Sequence, residues 1–133
     1  METTEIIEGV VGCLRQIASQ ELASIKEEDK LIDDLGLDSL DLLELVFLLE
    51  QRFKVRLSPR EFEKRAQAEL GDKPIDLDGR YTPEAMVLIR KALPEVPAAE
   101  LPDDLPKQML PRSFRVTTMV RLVERAMEEQ QHA

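Results

Sequence analysis

Residues 33–50 read Asp33-Asp34-Leu35-Gly36-Leu37-Asp38-Ser39-Leu40-Asp41-Leu42-Leu43-Glu44-Leu45-Val46-Phe47-Leu48-Leu49-Glu50, and their spacing decides the architecture. Gly36 gives the chain freedom to turn, and Asp38 or Ser39 can cap the exposed backbone N–H groups of a helix that runs from about Ser39 to Phe53. Leu42, Leu45, Val46, Leu49 and Phe53 share one side of that helix, enough to account for its packing. Leu40, Leu43 and Phe47 form a second apolar stripe beside Glu44, with Asp41 further round and Asp33, Asp34 and Asp38 just ahead. Apolar residues bordered by carboxylates suit a reversible docking surface, where burial supplies affinity and charge supplies orientation. The plainer alternative is a stripe covered by another part of the chain.

Ser39 stands where loop becomes helix. It reads either as an ordinary N-cap or as a hydroxyl that carries a phosphate-linked group, which the partial positive charge of a helix N-terminus favours and Asp38 opposes. No general base is near it in sequence, so a self-activated nucleophile is not expected.

Working outward, residues 4–19 predict an amphipathic helix through Ile6, Ile7, Val10, Val11, Leu14 and Ile17. A loop anchored by Leu22, Ile25, Leu31, Ile32, Leu35 and Leu37 leads to the decisive stretch. A last helix opens at Thr117 or Thr118 and runs to about Gln130, with Met119, Val120, Leu122, Val123 and Ala126 facing inward. Between these, Pro59 and Glu61–Leu70 suggest a short helix ended by Gly71, and Thr82-Pro83-Glu84 opens another to about Leu93. Pro94, Pro97, Pro102, Pro106 and Pro111 then break the chain into turns. Asp76-Leu77-Asp78-Gly79 resembles part of a calcium loop, but Pro74 and Ala85 occupy two ligand positions, which excludes an EF-hand.

Composition narrows the function. The 133 residues suit one domain, and a net charge of -9 argues against nucleic acid and against an anionic membrane surface. Residues 1–50 hold 13 acids and 3 bases, so the acidity is regional, as a docking face requires. A lone cysteine, Cys13, excludes an internal disulfide, and a lone histidine, His132, leaves nothing for a triad or a His/Cys metal cluster. Val10-Val11-Gly12-Cys13 lacks the apolar leader a lipid-attachment box needs, and no run is long enough to span a membrane. A cytoplasmic location is expected.

The run Asp33 to Asp41, followed by Glu44-Leu45-Val46 and Leu49-Glu50, resembles the acyl carrier proteins; the likeness covers residues 4–58 and resumes at Val116-Thr117-Thr118. It implies an all-α fold, a four-helix bundle, here with extra short helices and Pro-rich loops between the second and last main helices. It also implies that Ser39 receives a covalent 4'-phosphopantetheine arm from coenzyme A through a phosphopantetheinyl transferase. Asp38, Leu40, Asp41, Leu43, Glu44, Phe47 and Glu50 would meet basic patches on acyl-transferring and acyl-modifying enzymes. An apolar cavity among the helices would take the acyl chain.

Two departures stand out. Gln51 and Arg52 replace residues that are generally acidic in the fatty-acid carriers, and about fifty residues, 61–112, have no counterpart in a minimal carrier. The expectation is therefore a single carrier domain over residues 1–133, a monomer that is not itself an enzyme and has no metal site. It would hold acyl thioesters for fatty-acid, polyketide or specialised lipid synthesis. The rival is an unmodified carrier-derived interaction module that docks through its acidic second helix.

Overall fold

The computed structural model describes residues 2–17, 24–57 and 61–131, without the side chains of 61 and 62. Leu22, Pro59, His132 and the expected helical tail beyond residue 17 lie outside the described residues. The elements run α1 (Thr3–Ile17), α2 (Ser39–Phe53), α3 (Glu61–Leu70), β1 (Asp76–Leu77), β2 (Arg80–Tyr81), α4 (Pro83–Ala92), two 3-10 turns (Ala98–Glu100 and Lys107–Ser113) and α5 (Val116–Gln131). The all-α expectation holds, with one small two-stranded ribbon added. The chain divides into two compact units, Met1–Pro59 with Phe114–Ala133, and Arg60–Ser113.

In the first unit α1 packs against both α2 and α5. Ile6, Val10 and Leu14 from α1 meet Leu45, Leu49 and Phe53 from α2 and Val116, Met119, Val120 and Val123 from α5. Leu31, Leu35 and Leu37 drop into the same core from the loop, as their anchoring role required. Gly9 sets how closely α1 approaches the end of α2: a methyl group there would come within 2.8 Å of Arg52 Nε and closer still to the Phe53 ring. Lys54 ends α2 in the left-handed region, at φ 54°.

The loop before α2 is ordered by its own polar atoms. The backbone N–H of Lys30 donates to Asp34 Oδ2 at 2.7 Å, and Leu37 N–H donates to the Leu31 carbonyl at 3.0 Å. Gly36 supplies the positive φ, 75°, that this reversal needs. Upstream, the loop also begins α5. Val116 N–H donates to the Asp29 carbonyl and Thr117 N–H to the Glu27 carbonyl, both at 3.0 Å. α5 therefore opens at Val116, one residue before the earlier of the two expected caps. Carbonyls of a distant loop satisfy its first donors, while Thr117 Oγ1 donates back to the Glu27 carbonyl at 2.8 Å.

In the second unit α3 packs against α4. Thr82 caps α4 by accepting the Ala85 N–H, with Pro83 in the first turn, as its sequence indicated. Asp78 and Gly79 both have positive φ, 54° and 78°, the requirement of a two-residue hairpin turn between β1 and β2. Tyr81 Oη donates to Glu63 Oε1 at 3.0 Å, and Lys107 Nζ lies 3.6 Å from the same oxygen and 3.8 Å from Asp76 Oδ1. Arg90 pairs with Asp103 and donates from Nε to the Leu101 carbonyl at 2.8 Å.

Candidate functional site

Asp38, not Ser39, caps α2. Its Oδ1 accepts the Asp41 N–H at 2.8 Å, and Asp41 Oδ2 accepts the Asp38 N–H at 3.0 Å, a reciprocal capping box. Of the two caps the sequence allowed, the carboxylate wins because it can close both hydrogen bonds with its partner at the third helical position. Ser39 becomes the first helical residue. Its side chain is exposed, and among the described residues its hydroxyl has no hydrogen-bond partner. Among the described residues, the N–H groups of Ser39 and Leu40 are the ones at this helix mouth left without an intrahelical or capping acceptor.

The second apolar stripe is open: Leu40 is 74% exposed, Leu43 56% and Phe47 57%, whereas Leu45 and Leu49 on the packing side are fully buried. These exposures separate the two sides of one helix as its periodicity predicted. Glu44 is exposed beside the stripe. The remaining carboxylates have local duties as well. Asp34 holds the loop reversal, Asp38 and Asp41 hold the cap, and Glu50 Oε2 accepts the Leu57 N–H at 2.9 Å, which fastens the chain just past the helix. Asp33 is exposed before the turn and is also engaged by a neighbour. Asp33, Asp34, Asp38 and Asp41 gather at the start of α2 and just before it, around Ser39.

Sequence reasoning missed the bond from Leu57 to Glu50. A Glu seven residues ahead of a backbone donor gives no periodic signal, and only the left-handed bend at Lys54 brings the two together. Cys13 is buried in the first unit; burial pushes its thiol pKa up, and the Arg52 guanidinium partly opposes that. A thiol buried in this way acts as a small core residue.

Two clefts of about 210 and 220 Å³ flank Met127 near the end of α5, one reached by Ile6 and Glu124 and the other by Phe53 and Val55. Ser39 lines neither. Among the described residues no group of three or more His, Cys, Asp or Glu side chains could hold a metal, and no helix is long and apolar enough to cross a membrane.

Residues 8–70 match the family described as the phosphopantetheine attachment site. The chain is similar to the acyl carrier protein of Wolinella succinogenes, 50% identical over 42 residues that cover 32% of this chain and 55% of that one. To the acyl carrier protein of Campylobacter concisus it is 41% identical over 59 residues, 44% of this chain and 77% of the relative. To that of Campylobacter jejuni subsp. doylei it is 36% identical over 69 residues, 52% and 86% respectively. The chain spans about half the length of the first of these relatives. No solved structure matches it.

An exposed hydroxyl with no other duty, beside two uncapped N–H donors at a helix mouth, suits a phosphate-linked arm. Fold, site chemistry and relatives agree: the chain belongs to the acyl carrier protein family, whose prosthetic group is 4'-phosphopantetheine.

Proposed function

We propose that the protein is a non-catalytic carrier that holds acyl intermediates as thioesters, with Ser39 as the point of attachment. The observation that carries this reading is the division of labour at the α2 N-terminus, where Asp38 caps and leaves the exposed Ser39 hydroxyl uncommitted. When bound, the arm supplies a terminal thiol, which activates an acyl group toward transfer in a way a serine ester does not. This chain's own contribution is positional. The Ser39 proton leaves to a base on the transferase, since Asp38 and Asp41 are turned to each other's backbone N–H groups. The N–H groups of Ser39 and Leu40 would be available as donors to a phosphodiester on Ser39, and Leu40, Leu43 and Phe47 offer apolar area to a visiting enzyme while Asp33, Asp34, Asp38, Asp41, Glu44 and Glu50 orient it.

On this reading residues 1–133 act as one carrier domain, with 61–112 as an insertion. The protein works as a cytoplasmic monomer, visited by a phosphopantetheinyl transferase and by acyl-handling enzymes of fatty-acid, polyketide or specialised lipid synthesis. Incubation with coenzyme A and a transferase should add one arm, read by intact mass, and Ser39→Ala should abolish the gain. Addition that survives the substitution removes Ser39 from the role. No addition to the wild type by several transferases, with partner binding retained, favours the unmodified module instead.

A further inference from the structure

The exposed stripe on α2 does not stop at Phe47. The same three-to-four spacing continues to Gln51 and then to Lys54, both exposed, and Arg56 follows, also exposed. Charge changes sign between the start of α2 and the chain just past its end. Asp38, Asp41 and Glu44 occupy the first two turns, whereas the far end carries Lys54 and Arg56, neither of which has an ion-pair partner among the described residues. At a rise of about 1.5 Å per residue, Lys54 lies about 22 Å from Ser39.

Local needs account for only part of this. A cation beside the carbonyl end of a helix is favoured by the helix dipole, which covers Lys54. Arg56 lies beyond the helix and is exposed, and that favour has faded there. Glu50, a carboxylate in the last turns of α2, has an oxygen tied to the Leu57 N–H. Arg52 projects from another side of the helix, over Gly9 of α1.

From this pattern we infer that α2 presents a bipolar docking face, which fits a partner with cations opposite Asp38, Asp41 and Glu44 and carboxylates opposite Lys54 and Arg56. Such a face fixes the direction in which a partner lies along the helix and discriminates against partners whose contact patch is basic throughout. The inference rests on the carrier reading and names the class of partner that reading leaves open.

The test uses the full chain and, as probe, a phosphopantetheinyl transferase whose carrier-facing patch is basic along its whole length. Association is followed by stopped-flow fluorescence, which reads docking whether or not an arm is transferred. The double variant Lys54→Glu/Arg56→Glu should associate faster than wild type, by about two- to tenfold at low salt, with the gain fading as salt rises. A transferase given glutamates at the distal end of its patch should reverse that ranking. Equal association rates for wild type and double variant with both transferases overturn the bipolar face. Failure of the carrier reading has a different signature: no mass gain on the wild type under conditions where docking is measured.

Discussion

Asp38 Oδ1 accepts the Asp41 N–H at 2.8 Å, while the neighbouring Ser39 hydroxyl engages nothing among the described residues. The two side chains should therefore respond differently to truncation. Ser39→Ala should leave the urea midpoint within a few tenths of a kcal/mol of wild type, because no cap is lost and alanine is a better helix former. Asp38→Ala should cost about 1 kcal/mol in the same titration. Sequence alone left the cap shared between them; the choice became visible only once Asp41 was seen to return the hydrogen bond. Cys13 makes a separate prediction. Its folded pKa is raised, so the folded chain holds the thiol proton more tightly than the unfolded one. That contribution is intact below the ordinary thiol value of 9.0 and is lost as pH climbs through the higher folded value. Chemical denaturation repeated on either side of this window should show Cys13→Ala losing less stability at alkaline pH than wild type; parallel losses would remove the thiol from the account.

At the scale of elements, α1 and α2 meet where Gly9 faces Phe53 and Arg52. Gly9→Val should destabilise by about 1–3 kcal/mol through overpacking, against the usual gain from removing a helical glycine. Gly12, with open space around it, is the control: Gly12→Ala should be neutral or stabilising in the same melt. The long helices were legible because their apolar residues recur at helical spacing and because Gly71, Thr82 and Pro83 punctuate the chain. The β1–β2 ribbon was not, since two residues per strand give no alternation to read. Its signal was present in Asp78-Gly79, the pair that tolerates positive φ in a tight hairpin, once the calcium-loop resemblance was set aside. The start of α5 was misjudged by a residue or two for another reason. Its first donors are met by Glu27 and Asp29, far away in sequence, and no local pattern encodes that.

For the molecule as a whole, the core of the first unit is built from residues 6–57 and 114–127, while Met86, Ile89, Leu93 and Leu101 are buried within the second. Replacing residues 60–113 with a flexible Gly/Ser linker should therefore leave a cooperatively folding chain that keeps α1, α2 and α5, checked by circular dichroism and thermal melting. A molten, non-cooperative product would mean the core needs the rest. The acidic first half was legible because charge follows residue type, and the second α2 stripe because its residues recur at helical spacing, whereas its exposure is decided only in the fold; the second unit's internal polar contacts, such as Tyr81 with Glu63, join residues too far apart for any pattern. A first unit that still melts cooperatively with the linker in place of residues 60–113 would carry an evolutionary corollary: that segment could lengthen, shrink or be exchanged wholesale while the part bearing Ser39 kept its packing.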